Sequence, residues 1–135
     1  MICNTALNSY QKWFIGNDIR DILLADPGVS SQVSAEHIYP LVAPENTKGD
    51  FIVYMRQKYA KRFVKAGVYE DECEVAVIGV SDNYDNAISL ASKIDNALTG
   101  THINDDGRRI DIILQDSTEV FEDNKYIETL VFEIK

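Results

Sequence analysis

The chain has 135 residues, 45% of them hydrophobic and 26% charged, with a formal net charge of −9 at pH 7. That size and balance predict one soluble globular domain, residues 1–135, and exclude a disordered chain or two independent domains. The 22 acids against 13 bases argue against a general nucleic-acid binder, which needs a basic footprint to displace counterions from phosphates.

Met1 to Asn8 shows no basic segment leading into an apolar one, so no secretory signal is expected and the compartment reads as intracellular. Thr5 to Ala25 reads as a helix, with Leu7, Phe14, Ile15, Ile19, Ile22 and Leu23 mostly on one face. Gly16-Asn17-Asp18 weakens its middle, and Pro27-Gly28 is expected to end it. A turn-rich connection leads to a short extended piece, Glu36 to Leu41, and then a loop from Ala43 to Asp50.

Phe51–Val64 and Val68–Val80 both alternate, and Lys65-Ala66-Gly67 lies between them. Gly67 suits the positive φ that ends a three-residue hairpin loop. Closing the hairpin there pairs Val64 with Val68 and fixes the rest of the register. Arg62 then opposes Glu70, Lys61 opposes Asp71, Lys58 opposes Glu74, Tyr59 opposes Cys73 and Met55 opposes Val77. Three opposite-charge pairs from one loop geometry support that register, since a slip of one residue loses them. Cys73 is expected to act as a small buried hydrophobe, and the two cysteines, Cys3 and Cys73, form no metal or disulfide pattern. The longest apolar run, Val75 to Val80, is too short to span a membrane.

Ser81-Asp82-Asn83 caps a second helix, in which Tyr84, Ala87, Ile88, Ala91, Ile94 and Leu98 recur at helical spacing until Gly100 stops it. Ile110, Ile112 and Leu114 alternate in one strand, and Tyr126, Leu130, Phe132 and Ile134 do so in another. Glu122-Asp123-Asn124 joins these strands, with Asn124 able to take the left-handed conformation. The expected fold is α+β: an antiparallel sheet of four or five strands, two helices on one face, and a long projecting hairpin. The projection follows from size. Hairpin arms of about 13 residues extend about 43 Å at about 3.3 Å per residue, whereas a helix of about 17 residues covers only about 25 Å. A tip carrying Tyr59, Phe63, Val64, Val68 and Tyr69 is too apolar for a free arm and calls for a partner, most simply a second copy.

No phosphate-binding loop, GxSxG elbow or HExxH motif occurs, so no catalysis and no cofactor are expected. His102 with Asp105 and Asp106 is the one constellation that could suggest a metal-dependent enzyme, but Asn104-Asp105-Asp106-Gly107 reads first as a tight turn. Glu36-His37 reads as a solvated or structural pair. Arg56, Lys58, Lys61, Arg62 and Lys65 make one strand basic, and Glu70, Asp71, Glu72 and Glu74 make the next acidic. These charges can neutralise each other within the hairpin, or dock on a neighbouring subunit. Arg56, Lys58, Tyr59, Lys61, Arg62, Phe63, Lys65, Tyr69, Glu70, Asp71, Glu72 and Glu74 are therefore the candidate subunit interface.

The run Asp18 to Leu24, then His37-Ile38-Tyr39-Pro40-Leu41-Val42-Ala43-Pro44-Glu45-Asn46-Thr47 and Phe51-Ile52-Val53-Tyr54, resembles the tail-completion (tail terminator) family of long-tailed phages and prophages. Glu74 to Val80, Ser81-Asp82-Asn83-Tyr84-Asp85-Asn86-Ala87, Leu90-Ala91 and Ile94 continue the likeness, which spans about Asp18 to Leu98. The extension before Asp18 and the charged hairpin are less typical of the family.

The resemblance implies a structural protein made in the host bacterial cytoplasm and carried in the virion tail. Family members assemble into a ring, commonly a hexamer. The ring caps the head-proximal end of the tail tube, ends polymerisation and meets the head–tail connector. The implied partners are other copies of the chain, the tail tube protein and the connector, with DNA only in passage through the bore and no membrane. An acidic bore, drawing on Asp105, Asp106, Glu119, Glu122 or Asp123, would let DNA slide. The alternatives are a head-closure or neck connector subunit, a cellular α+β adaptor or ligand-binding domain, and the His102/Asp105/Asp106 enzyme.

Overall fold

Alternation and capping do produce the long hairpin and the capped helix; the extended piece expected at Glu36 to Leu41 supplies one edge strand, and a strand that periodicity does not mark forms the other. The computed structural model describes residues 5–63, 67 and 69–135. In chain order the elements are α1 (Ser9–Lys12), α2 (Ile15–Ala25), α3 (Pro27–Ser30), β1 (Ile38–Pro40), β2 (Phe51–Phe63), β3 (Tyr69–Ser81), α4 (Tyr84–Leu98), β4 (Gly100–Ile103), β5 (Arg109–Glu122) and β6 (Lys125–Ile134). The class is α+β, with one curled sheet of six strands in the order β1-β2-β3-β6-β5-β4.

The sheet differs from the expected four or five antiparallel strands at both edges. β1 runs parallel to β2, with Ile38 opposite Ile52. β4 pairs antiparallel with β5, so His102 lies on a strand opposite Ile110. Each edge strand is only three or four residues long, which blunts the edge against unwanted pairing.

The first helix is also not continuous. Asn8 and Gln11 form a reciprocal capping box that closes the single turn α1. The chain breaks at Trp13-Phe14, ahead of the glycine expected to weaken it, and α2 follows. α2 stops at Ala25, ahead of Pro27-Gly28 as expected, and Pro27 also starts a new turn: it occupies the first position of α3, where its missing N–H costs nothing, and Asp26 Oδ2 accepts from Val29 N at 3.0 Å.

The long hairpin keeps its expected register near the tip and departs from it past a bulge. Arg62 faces Glu70, Lys61 faces Asp71, Tyr59 faces Cys73 and Lys58 faces Glu74. A bulge between Arg56 and Lys58 then shifts the pairing by one, so Met55 faces Ala76 and not Val77. Gly67 has φ +78°, as the loop requires; the Val64–Val68 pairing and Lys65 lie outside the described residues. The closing hairpin turns on Asp123 and Asn124, with φ of 52° and 62°. That is a two-residue loop whose twist suits the flanking strands.

The helices pack on one face of the sheet, over Ile52, Val75, Val77, Leu130, Phe132 and Ile112. Ile15, Ile19 and Leu23 of α2 and Leu90, Ile94 and Leu98 of α4 are fully buried there. Phe14 and Ile88, expected on buried faces, are 51% and 42% exposed, and Leu90 takes the central place in α4. Gly79 permits this contact, since a Cβ there would sit 3.1 Å from Leu90 Cγ. Cys73 is buried as expected, and burial pushes its thiol up to about 11, leaving it unreactive. Cys3 lies outside the described residues, among which no helix is long and apolar enough to cross a membrane.

Candidate functional site

Three surface features gather charged and apolar side chains. The first is the arm, the part of β2–β3 beyond Cys73↔Ile134, where β6 ends and the described hairpin strands pair only with each other. The N-terminal segment braces its root. Lys12 Nζ lies 2.7 Å from Asp71 Oδ1, with the two side chains only 10% and 23% exposed. Tyr59 Oη donates to Asp71 Oδ2 at 3.4 Å and packs edge-on against Trp13. The Arg56 guanidinium lies 4.3 Å from the centre of the Trp13 ring and donates to the Trp13 carbonyl at 3.2 Å.

The cross-strand charges therefore pair differently from their backbone register. Asp71 is held by Lys12 and not by Lys61, which is exposed and sits 6.0 Å over its own Tyr59 ring. Lys58 reaches diagonally to Glu72 at 2.6 Å, while Glu74 accepts from Gln57. Phe63 is 70% exposed at the arm's end. Only the backbone pairing of Arg62, Tyr69 and Glu70 is described. Beside the arm's root, Tyr10, Trp13, Phe14 and Leu41 form an exposed aromatic and aliphatic platform around Arg56. Together they make an apolar surface of the kind that docks on protein.

The second feature is an acidic cleft of about 420 Å³ between α2 and the β4–β5 hairpin, lined in part by Asp18, Asp21, Asp26, Asp105 and His102. Burial raises the Asp18 carboxyl above the usual range, and a hydrogen bond from Asn104 partly offsets this. His102 Nε2 lies 2.8 Å from the Leu98 carbonyl. The Asn104–Gly107 segment closes as a tight turn, with Asn104 Oδ1 accepting from Asp106 N and Arg108 N. Among the described residues no three His, Cys, Asp or Glu groups are arranged to hold a metal ion, so the His102/Asp105/Asp106 constellation is not assembled as a ligand set.

The third feature lies at the far end of β5. The five acids considered for a bore form no single patch: Asp105 and Asp106 sit at the β4–β5 turn, while Glu119, Glu122 and Asp123 sit at the β5–β6 end. There Glu119 faces Glu128 directly across the strands. Glu128 is only 8% exposed, and its Oε1 has no hydrogen-bond partner. Burial first, then hydrogen bonding and repulsion from Glu119, raise the Glu128 carboxyl to about 7. Tyr84 Oη donates to Glu119 Oε1 at 3.0 Å, which raises the phenol. Tyr84, Phe121 and Tyr126 wall a pocket of about 170 Å³ around the two acids.

Glu128, Tyr126, Lys12 and Trp13 are functional candidates that the sequence pattern does not single out. For Glu128 the signal is present: a two-residue turn at Asp123-Asn124 fixes Glu119 opposite Glu128. For Lys12 and Asp71, 59 positions apart, no local signal exists.

No protein-family model matches the sequence, and no curated protein is significantly similar to it. Among solved structures, a chain in "Virion of native gene transfer agent (GTA) particle" superposes with a TM-score of 0.70 at 18% identity, covering 86% of this chain and 89% of that one. What the two chains share, over nearly their whole lengths, is the fold.

Proposed function

We propose that this chain is a structural subunit of a phage-type virion, a tail-terminator-like protein without catalytic activity. Copies of it assemble into a ring at the head-proximal end of the tail tube, stop tube growth and join the tail to the head connector. The observation that carries the reading is the near full-length likeness of fold to a chain of a GTA virion. It coincides with the separate sequence resemblance to tail-completion proteins over Asp18 to Leu98.

The surfaces support assembly. The braced arm and the β5–β6 turn project from opposite ends of the sheet, a polarity suited to head-to-tail contacts that close a ring. The exposed Tyr10, Trp13, Phe14 and Leu41 give such contacts an apolar component. The net charge of −9 suits a ring that passes DNA without holding it.

Light scattering at low micromolar concentration tests the assembly. The expected result is one discrete species several times the 15.2 kDa protomer mass, seen as closed rings in electron micrographs. A strict monomer at every concentration overturns the reading.

A further inference from the structure

The Glu119–Glu128 pocket has a composition that the fold itself does not need. Two carboxylates directly opposite on neighbouring strands repel, and one of them is buried with an oxygen left unpartnered. Such an oxygen forfeits a hydrogen bond it had in water. The hairpin's own cation does not relieve this, because Lys125 Nζ is turned to Asp82 Oδ1 at 2.6 Å and to the Thr47 carbonyl. The remaining walls are Val120 and three aromatic rings, those of Tyr84, Phe121 and Tyr126. Their π faces attract organic cations, and about 170 Å³ is several water volumes, room for the end of one long side chain. The mouth is open, with Phe121 58% and Tyr84 42% exposed.

We infer that this pocket is a docking site for a basic side chain from the arm of a second copy of the chain, supplied by Lys61 or Arg62. The occupant follows from charge complementarity. Every charged residue between Asp50 and Glu70 is basic, and among the described side chains Arg56 is held close over Trp13 at 4.3 Å and Lys58 by Glu72 at 2.6 Å. Lys61 is exposed at the arm's end, 6.0 Å from the centre of its own Tyr59 ring, the outer limit of a cation–π contact. It follows also from topology. The arm leaves the sheet past Cys73↔Ile134, and the pocket lies at the opposite end, near Ser81↔Tyr126. One copy therefore cannot place its own arm in its own pocket, but a neighbour in a head-to-tail ring can. The inference rests on the ring reading and names the contact that would close the ring.

Two variants separate it from that reading. Lys61→Glu/Arg62→Glu removes the donor, and Glu119→Gln/Glu128→Gln removes the acceptor while keeping side-chain shape. Each alone, with an unchanged far-UV spectrum and a cooperative melt, is expected to raise the assembly midpoint concentration at least tenfold. Mixed one to one, they are expected to form a species of twice the protomer mass and no ring, because each mixed pair has one intact arm and one intact pocket. In wild-type rings, a carbodiimide is expected to couple Lys61 to Glu119 or Glu128 of another copy. Wild-type rings with variants that assemble at the normal midpoint would overturn the docking inference alone and leave the ring reading standing. Normal rings from the variants that no longer cap tubes would assign the pocket to a different partner and overturn the second-copy occupant. A monomeric wild type would overturn both.

Discussion

Asp71→Ala is expected to lower folding stability by about 3 kcal/mol, the low end of the cost of removing one member of a buried ion pair. The substitution leaves the Lys12 ammonium, 10% exposed, without the carboxylate that holds it at 2.7 Å, and also removes the acceptor of the Tyr59 hydroxyl. Denaturant unfolding measures the loss. Hydrogen exchange locates it, with faster exchange at residues 8–13 as α1 comes off the arm. Adding Lys12→Met to Asp71→Ala is expected to restore most of the stability, because the buried charge is then gone. A single-variant loss below about 0.5 kcal/mol, the scale of an exposed pair, would show that the N-terminal segment does not brace the arm. The extension before Asp18 matters because it carries Lys12 and Trp13 to the arm's root.

Glu128→Gln is expected to stabilise the unassembled chain at pH 8 and to flatten its pH dependence. The folded-state carboxyl titrates at about 7 against a reference of 4.5. The contribution to stability is therefore full below pH 4.5 and is lost as pH rises through 7, where the native state must hold the buried charge. The full span is up to about 3 kcal/mol. Gln keeps the shape and can donate to Glu119 the hydrogen bond the protonated acid would give. Melting temperatures from pH 4.5 to 8.5 should fall for the wild type relative to the variant, and parallel curves would contradict the assignment.

Docking of a cation reverses the sign. The groups facing Glu128 are Glu119 from β5 and Tyr84 from α4, with Tyr126 and Phe121 as walls, and none of them is basic. An arriving Lys or Arg thus favours the ionised pair. Assembly should then release a proton and tighten with rising pH, while the unassembled chain loses stability.

What could be read in the sequence is what local chemistry determines. The register of the arm follows from Gly67 and from facing charges, and the closing turn follows from Asn124. α4 follows from the Asn83 cap, whose Oδ1 accepts from Asn86 N at 3.0 Å. The edge strand β1 falls inside the extended piece expected at Glu36 to Leu41, though its parallel pairing is not legible there, and β4 escapes notice because four residues carry too little alternation to register. The bulge at Gln57 escapes because Arg56 and Lys58, polar on either side of it, suit either face. The apparent Lys61–Asp71 pair fails for a different reason: backbone register fixes which residues are opposite, but a competing cation 59 positions away takes the carboxylate. The hairpin that carries the candidate interface is legible in the sequence, whereas its brace and the acidic pocket depend on contacts between elements.

If this small α+β chain acts as a ring that ends a tube, it should do so on isolated tubes. Purified tail tubes are incubated with the protein, then offered fresh tube protein and imaged by negative stain. The expected result is an added ring at one end of each tube and no further elongation from that end. Tubes that remain uncapped and keep growing from both ends at saturating protein would contradict the proposed function.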